Sequence, residues 1–345
     1  MGRHEQYAKP NRKPKLSNAK RRRRRRILSV AGILTVSLVI WLVVYFLTPP
    51  AQVEPPQPDP EPDDTTITET TPPETSDDTP ERVRKSGFYT MLLVGTLDNY
   101  NTDTIMLASI DSEKDIVNVI SIPRDTMVDI DERNKKINGA YGRDGIEELC
   151  REVQDITTIY PDFYCVVNVE SFVKIVDLID GVEFDVPYNM YHPDADSKYT
   201  INLKKGLQTL DGKKAIQLVR YRGTAQSDFG RMELQRNFLI AVAKKVLSNF
   251  SLSQVTEIIP IVNESVETNM PVKDMVWFYT NVVDEIDFDQ NVHFYQMPVA
   301  STGNYKGLSY VYLDKTAVCE LLNETVNPYN LDIEEEDLNI IHLES

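Results

Sequence analysis

Cysteine and histidine are the scarcest reactive residues, three of the first and four of the second in 345 residues. Cys150, Cys165 and Cys319 form neither a C-x-x-C pair nor an even framework of half-cystines. Two readings stay open for them, a single Cys150–Cys165 bridge or structural thiols. Only His192, His293 and His342 lie beyond residue 47. A multi-histidine zinc centre or a Ser-His-Asp hydrolase therefore has little to draw on. Positive charge is also scarce once the chain is divided. Residues 1–26 carry 12 of the 37 Lys and Arg residues and one acid, and the remainder holds 25 basic against 52 acidic residues, a net −27. Such a remainder does not read as a nucleic-acid binder. An anionic ligand would need a local basic cluster set against the general field. No internal repeat is present.

What is present begins with an anchor. Arg21 to Arg26 are followed by residues 27–47, 21 residues that are all apolar or small. About 20 apolar residues cross a bilayer as one helix. Trp41 and Tyr45 stand near the outer end, where amphipathic rings favour the interface, and the basic excess keeps residues 1–26 cytoplasmic. A cleaved signal peptide would have a shorter apolar core, and no small-residue cleavage site precedes Pro49. Beside a span, orientation and lipid contact explain the arginine run better than nucleic-acid binding does. Residues 49–82 hold ten prolines among Thr, Glu and Asp. They are expected to be an extended, disordered spacer that lifts a domain off the membrane. The plan is a tail (1–26), a span (27–47), a linker (48–85), an extracytoplasmic domain (86–330) and a solvated acidic tail (331–345).

Within the domain, hydrophobic periodicity gives strands at 88–94, 103–111, 115–122, 163–169 and 182–186, with 293–297 as the last. Helices are expected at 145–155, at 171–178 stopping at Asp180-Gly181, and at 213–220 with Asp211 as N-cap. Further helices are expected at 231–249, over most of 252–288, and at 314–323. Strands mixed with helices over this length make one α/β or α+β domain with a layered core.

Four segments interrupt apolar runs with polar residues at element ends. Residues 95–104 hold Asp98 and Asp103 between two strands; paired carboxylates there suit Mg²⁺, and turn-capping suits them equally. Residues 121–126 (SIPRDT) put Arg124 and Asp125 at a strand tip, as a ligand contact or a structural pair. Residues 135–141 (KKINGAY) form a basic, amide-bearing loop entering a helix, which alone is a solvated charge cluster. Residues 218–222 and 227–236 place Arg220, Arg222, Arg231 and Arg236 close together in an acidic chain. The planar guanidinium fits phosphate oxygens, and Arg231, following Gly230 at a helix start, adds free N–H groups. Ion pairing with the many acids is the other reading.

These segments, with VVNVESFVKIVDLIDGVEFDVP, LVRYRGTAQSDFGRMELQR and the TDT before the second strand, strongly resemble the LytR-CpsA-Psr family over about residues 86–300. The resemblance implies a membrane-anchored phosphotransferase of Gram-positive envelopes. Such enzymes attach a polyprenyl-pyrophosphate-linked glycopolymer, of the teichoic acid or capsule class, to peptidoglycan as a phosphodiester. It implies a central mixed sheet flanked by helices, with the lipid tail in a long apolar pocket that parts of 163–169, 172–179 and 238–246 would line. By motif, Arg124, Arg220, Arg222 and Arg231 clamp the pyrophosphate with Gln235 beside them. Asp98 and Asp103 bind Mg²⁺ (or Mn²⁺) or orient the arginines. An Asp near the phosphorus suits a proton acceptor, and Asp103 is the choice.

The sequence also departs from that pattern. Asn101-Thr102 stand where the family has Arg-Ser, and Met127-Val128 where many members carry a further arginine. Lys135, Lys136 and Arg143 are the candidates to compensate. Two other classes would use the same features: a hydrolase of the lipid-linked pyrophosphate, and a non-catalytic lipid- or glycan-binding module.

Overall fold

The computed structural model describes residues 48–53, 82–96, 100–194, 200–221, 227–249, 252–283 and 286–342. The expected span, residues 54–81 of the spacer, Asp98 and Arg222 lie outside them. Among the described residues no helix is long and apolar enough to cross a membrane.

Three apolar runs whose side chains alternate between two faces set the architecture. β1 (Phe88–Thr96), β2 (Thr102–Asp111) and β3 (Ile116–Ile122) form an antiparallel meander. The expected polar turn joins β2 to β3, with Asp111 Oδ1 accepting from the backbone of Glu113 and Lys114 at 3.1 Å each. The other strands are β4 (Phe163–Asn168), β5 (Val182–Val186), β6 (Met190–His192), β7 (Ile201–Leu203), β8 (Gly206–Leu210), β9 (Glu267–Thr268), β10 (Val292–Gln296), β11 (Val299–Tyr305) and β12 (Leu308–Leu313). The helices are α1 (Ala140–Thr157), α2 (Val169–Leu178), α3 (Gly212–Arg220), α4 (Ser227–Asn249), α5 (Leu252–Ser265), α6 (Val272–Phe278), α7 (Phe288–Asn291) and α8 (Lys315–Thr325). β4 runs parallel to β1 and β10 parallel to β3, so the six-stranded sheet, ordered β10-β3-β2-β1-β4-β9, is mixed as expected.

Period-two alternation gives the sheet two buried faces. Leu92, Val94, Leu107 and Ile120 pack against Leu149, Val153 and Ile156 of α1 and Leu322 of α8. Opposite them, Tyr89 packs with Trp277 and Phe278 of α6, while Met106 and Val119 meet Leu239 of α4. A second core joins α2, α3 and α4 to β5–β8 through Val176, Ile179, Leu210, Leu218 and Phe238. The helix signals read from the sequence hold here. Asp180 and Gly181 take φ of 59° and 69° after α2, and Asp211 caps α3 by accepting from Lys214 N at 2.8 Å.

Several expectations change. β10 is not the last strand, because the β11–β12 hairpin follows it. The Ser, Thr, Gly and Asn of β11 had hidden that strand's period. β9 interrupts the stretch expected to be mostly helical. The acidic segment after Leu331 is part of the fold: Ile333, Leu338 and Ile340 are buried with α1 and α8. Its acids alternate with these few apolar anchors, and Ile333 N donates to Asn323 Oδ1 at 2.8 Å.

The first residues assigned to the spacer are docked as well. Gln52 Nε2 donates to the carbonyls of Lys85 and Phe88, at 2.8 Å each. Val53 N donates to Asp162 Oδ1 at 2.8 Å. Asp162, fully buried, also accepts from Arg84 Nη2 at 2.6 Å and Thr90 N at 2.8 Å. A buried carboxylate must be paired and hydrogen-bonded, and this one draws its partners from both sides of 54–81.

Candidate active site

A cavity of about 620 Å³ lies between the sheet and the second core. Leu93 and Met106 form its floor, with Val167, Phe172, Ile216, Phe238 and Leu239 around it. That volume is typical of a small-molecule site. Of the apolar stretches expected at the pocket, Val167, Val169, Phe172, Phe238 and Leu239 reach it. Cys165 lines it too, its thiol pushed up to about 11 by burial, so it stays neutral at pH 7. Cys150, Cys165 and Cys319 are all free thiols, which settles the two readings against a bridge.

Asp103, Thr104, Arg220 and Gln235 also line the cavity, and the contacts of Gln235 to Thr104 and Val219 group them at one place, the pocket head. Strand register explains the first of these. Ile105 pairs with Ile122 across the β2–β3 hairpin, so two residues further along Asp103 stands opposite Arg124. Arg124 Nη1 donates to Asp103 Oδ1 at 2.7 Å, with both side chains largely buried. Gly95 pairs with Thr104 and Thr96 with Thr102, so Asp103 is the extra residue of a bulge in β2, which re-aims its side chain. Arg220 is the last residue of α3, where a cation complements the helix dipole.

Gln235 acts as a strut. Its Nε2 donates to Val219 O at 3.0 Å and its Oε1 accepts from Thr104 Oγ1 at 3.3 Å. It thereby ties α4 to β2 and to the turn of α3 that carries Arg220.

The SIPRDT and KINGAY loops are clipped side by side. Asn138 N donates to Arg124 O at 3.1 Å, Ile137 N to Thr126 O at 3.0 Å and Val128 N to Lys135 O at 2.9 Å. Lys136 Nζ thus reaches Asp125 Oδ1 at 2.9 Å, and Asp125 Oδ2 lies 3.9 Å from Arg124 Nε. Of the three candidates to replace missing arginines, only Lys136 joins this network. Lys135 sits near Asp129 at 3.7 Å, and Arg143 pairs with Glu152 and Glu148 on its own helix.

The backbone of Arg231 falls within α4, which starts at Ser227. Its N–H is therefore inside the helix and does not supply the free amide expected at a helix start. The side chain of Arg231 lies outside the described residues. Among the described residues no three His, Cys, Asp or Glu side chains converge on a metal position. Mg²⁺ asks less than that, because one or two carboxylates suffice when substrate phosphates and waters complete the shell. Asp103 fits as one such carboxylate at the pocket head.

Sequence reasoning missed the side of the pocket formed by Tyr191, His192 and Asp194. These residues stand in a short strand and turn with no readable spacing. Thr104 was also missed, although it follows Asp103 directly.

The LytR_cpsA_psr family model matches residues 64–327. The chain is 28% identical over 253 residues to the polyisoprenyl-teichoic acid–peptidoglycan teichoic acid transferase TagU of Bacillus mycoides, covering 70% of this chain and 79% of that protein. It is 29% identical over 179 residues to the transferase of the same title, TagV, of Bacillus subtilis. That match covers 50% of this chain and 46% of TagV, so the aligned part spans about half of that relative. The crystal structure of B. subtilis TagV has the same fold, with a TM-score of 0.61 at 23% identity over 70% of this chain and 97% of that one. A family match over most of the chain makes this protein a member of the LytR-CpsA-Psr family.

Proposed function

We propose that this protein is a membrane-anchored, extracytoplasmic phosphotransferase. It moves a polyprenyl-pyrophosphate-linked glycopolymer, of the teichoic acid or capsule class, onto peptidoglycan as a phosphodiester. The observation that carries the reading is one cavity lined both by apolar side chains and by Asp103, Arg220 and Gln235. An isoprenoid tail needs the apolar walls, and a diphosphate needs the charged end. The names of the TagU and TagV relatives support the glycopolymer donor and the peptidoglycan acceptor.

Arg124, Arg220, Arg222 and Arg231 hold the pyrophosphate, with Gln235 fixing the α3 end that presents Arg220. An acceptor hydroxyl attacks the phosphorus that carries the glycan. The new P–O bond forms as the phosphoanhydride breaks, and polyprenyl phosphate leaves. The hydroxyl proton passes to Asp103, which Arg124 holds in place. Asp103, with Asp98, would hold Mg²⁺ (or Mn²⁺), which supplies charge neutralisation at the diphosphate. Most of the work asked of the protein is positioning and electrostatics.

The test supplies the full chain in vesicles with Mg²⁺, a short polyprenyl-pyrophosphate glycan and a peptidoglycan oligomer. Mass spectrometry should find the glycan joined to the oligomer by a phosphodiester, and lose that product with Arg220→Ala. Free glycan phosphate without transfer would replace the reading by a hydrolase, and a bound but unconsumed donor by a non-catalytic module.

A further inference from the structure

We propose that Tyr310, on the C-terminal hairpin outside all four motifs, is a positioning residue for the pocket head and acts through Lys136. The proposal rests on the reading of that head as the pyrophosphate site.

Tyr310 is fully buried, and a phenylalanine would fill its space. Two of its features serve something other than packing, and both act on the same loop. Its hydroxyl accepts from Lys135 N at 3.2 Å. The face of its ring lies 5.7 Å from Lys136 Nζ, within reach of a cation–ring attraction. The strand around it is bound to the other motif loop: Val311 N donates to Asp125 O at 2.9 Å and Met127 N to Val311 O at 3.0 Å.

A continuous path results. Tyr310 seats Lys136, Lys136 holds Asp125 at 2.9 Å, Asp125 flanks Arg124, and Arg124 holds Asp103 at 2.7 Å in the pocket head. A lysine between a carboxylate and a ring face has its ammonium fixed from two sides. Without the ring, the long side chain regains its rotamers and Asp125 loses a fixed partner.

The test uses the full-length protein and the variants Tyr310→Leu, Tyr310→Phe and Lys136→Met. Two readouts are needed, one of them independent of turnover. Tyr310→Leu should speed labelling of Lys136 by an amine-reactive reagent roughly two- to thirty-fold, measured against the exposed Lys114. It should lower kcat for glycan transfer roughly 10- to 100-fold. KM for the donor should rise by a smaller factor than kcat falls, because the apolar tail and Arg220 still hold the donor, and the loss should not add to that of Lys136→Met.

Tyr310→Phe keeps the ring and loses the hydroxyl. Lys136 labelling should stay at the wild-type rate while the Lys135 amide exchanges faster. If Tyr310→Leu does not fold, the longer Tyr310→Met, which also removes the ring, takes its place with the same expected outcomes. Unchanged labelling and exchange, or a lowered melting temperature with unchanged kcat, would reduce Tyr310 to a core residue. A wild-type protein without transferase activity would overturn the functional reading alone, and the labelling and exchange would still decide Tyr310.

Discussion

Asp103 and Arg124 are 21 residues apart in the chain and 2.7 Å apart in the fold, and the two ought to fail together. Arg124→Ala should lower transfer by at least about 100-fold, as loss of a charge-stabilising donor does, and lower the melting temperature as well, because Asp103 is left without this partner. Asp103→Asn should do likewise, and the double variant should be little worse than either single one. Additive losses would mean that the two residues act separately. Glu152 makes a different prediction. Burial pushes its carboxyl from 4.5 up to about 7, against the pull of Arg143 and with help from Glu148 and Asp155. The folded protein keeps a proton there that the unfolded chain loses between those two values. The stability this side chain contributes is full below pH 4.5 and disappears as pH rises through 7. Glu152→Gln cannot titrate, so between pH 5 and 8 it should lose less stability in urea than the wild type, by on the order of 1–2 kcal/mol. An equal loss in both proteins would remove Glu152 from the acid–base behaviour of the fold. Asp103 and Arg124 were each legible as candidates at element ends, but their pairing was not read, because it follows only from the register of the β2–β3 hairpin. Gln235 was legible as a place but not as a strut, since nothing in the text says that Thr104 and Val219 meet it.

At the scale of elements, α3 carries Arg220 and is held against α2 by an absent side chain. A Cβ at Gly212 would lie 2.4 Å from Val173 O, and Gly212 N donates to Asp177 Oδ1 at 2.8 Å. Gly212→Ala must push the helices apart, at about 1–3 kcal/mol. Because Arg220 ends the same helix, donor affinity should fall along with the melting temperature. Unchanged affinity in a destabilised variant would separate the helix seat from the arginine. Elements with strong local signals were readable in advance. The cap at Asp211 and the stop at Asp180-Gly181 depend only on neighbouring residues. β9 and β11 were not readable, because two residues of β9 pair with β4 only after the fold has formed, and β11 is polar along most of its exposed length. The helix start at Ser227 was misplaced because Gly230 resembled a boundary.

For the whole molecule, a layered core of strands and helices was legible and the resemblance implied the mixed sheet, while the strand order, set by pairings between distant segments, was not read. What the text concealed was how the chain closes on itself at its two ends. Ile333, Leu338 and Ile340 disappear among acids, and Gln52 and Val53 among prolines. The second concealment has a topological consequence. Val53 and Arg84 meet at 3.3 Å, and both are held by Asp162. The two ends that flank residues 54–81 are therefore held at one place, so by connectivity alone the chain between them is a closed excursion instead of a link in series. The length of such an excursion enters stability only logarithmically, with each doubling costing about 0.6 kcal/mol. Doubling 54–81 should lower the unfolding free energy by about that amount and leave the join at Val53 unchanged, which urea titration and amide exchange at Val53 would read. Loss of protection at Val53 in the lengthened chain would return the segment to the role of a tether. As the contacts stand, insertion or deletion there is free to drift while the join of Val53 to Arg84 and Asp162 stays fixed.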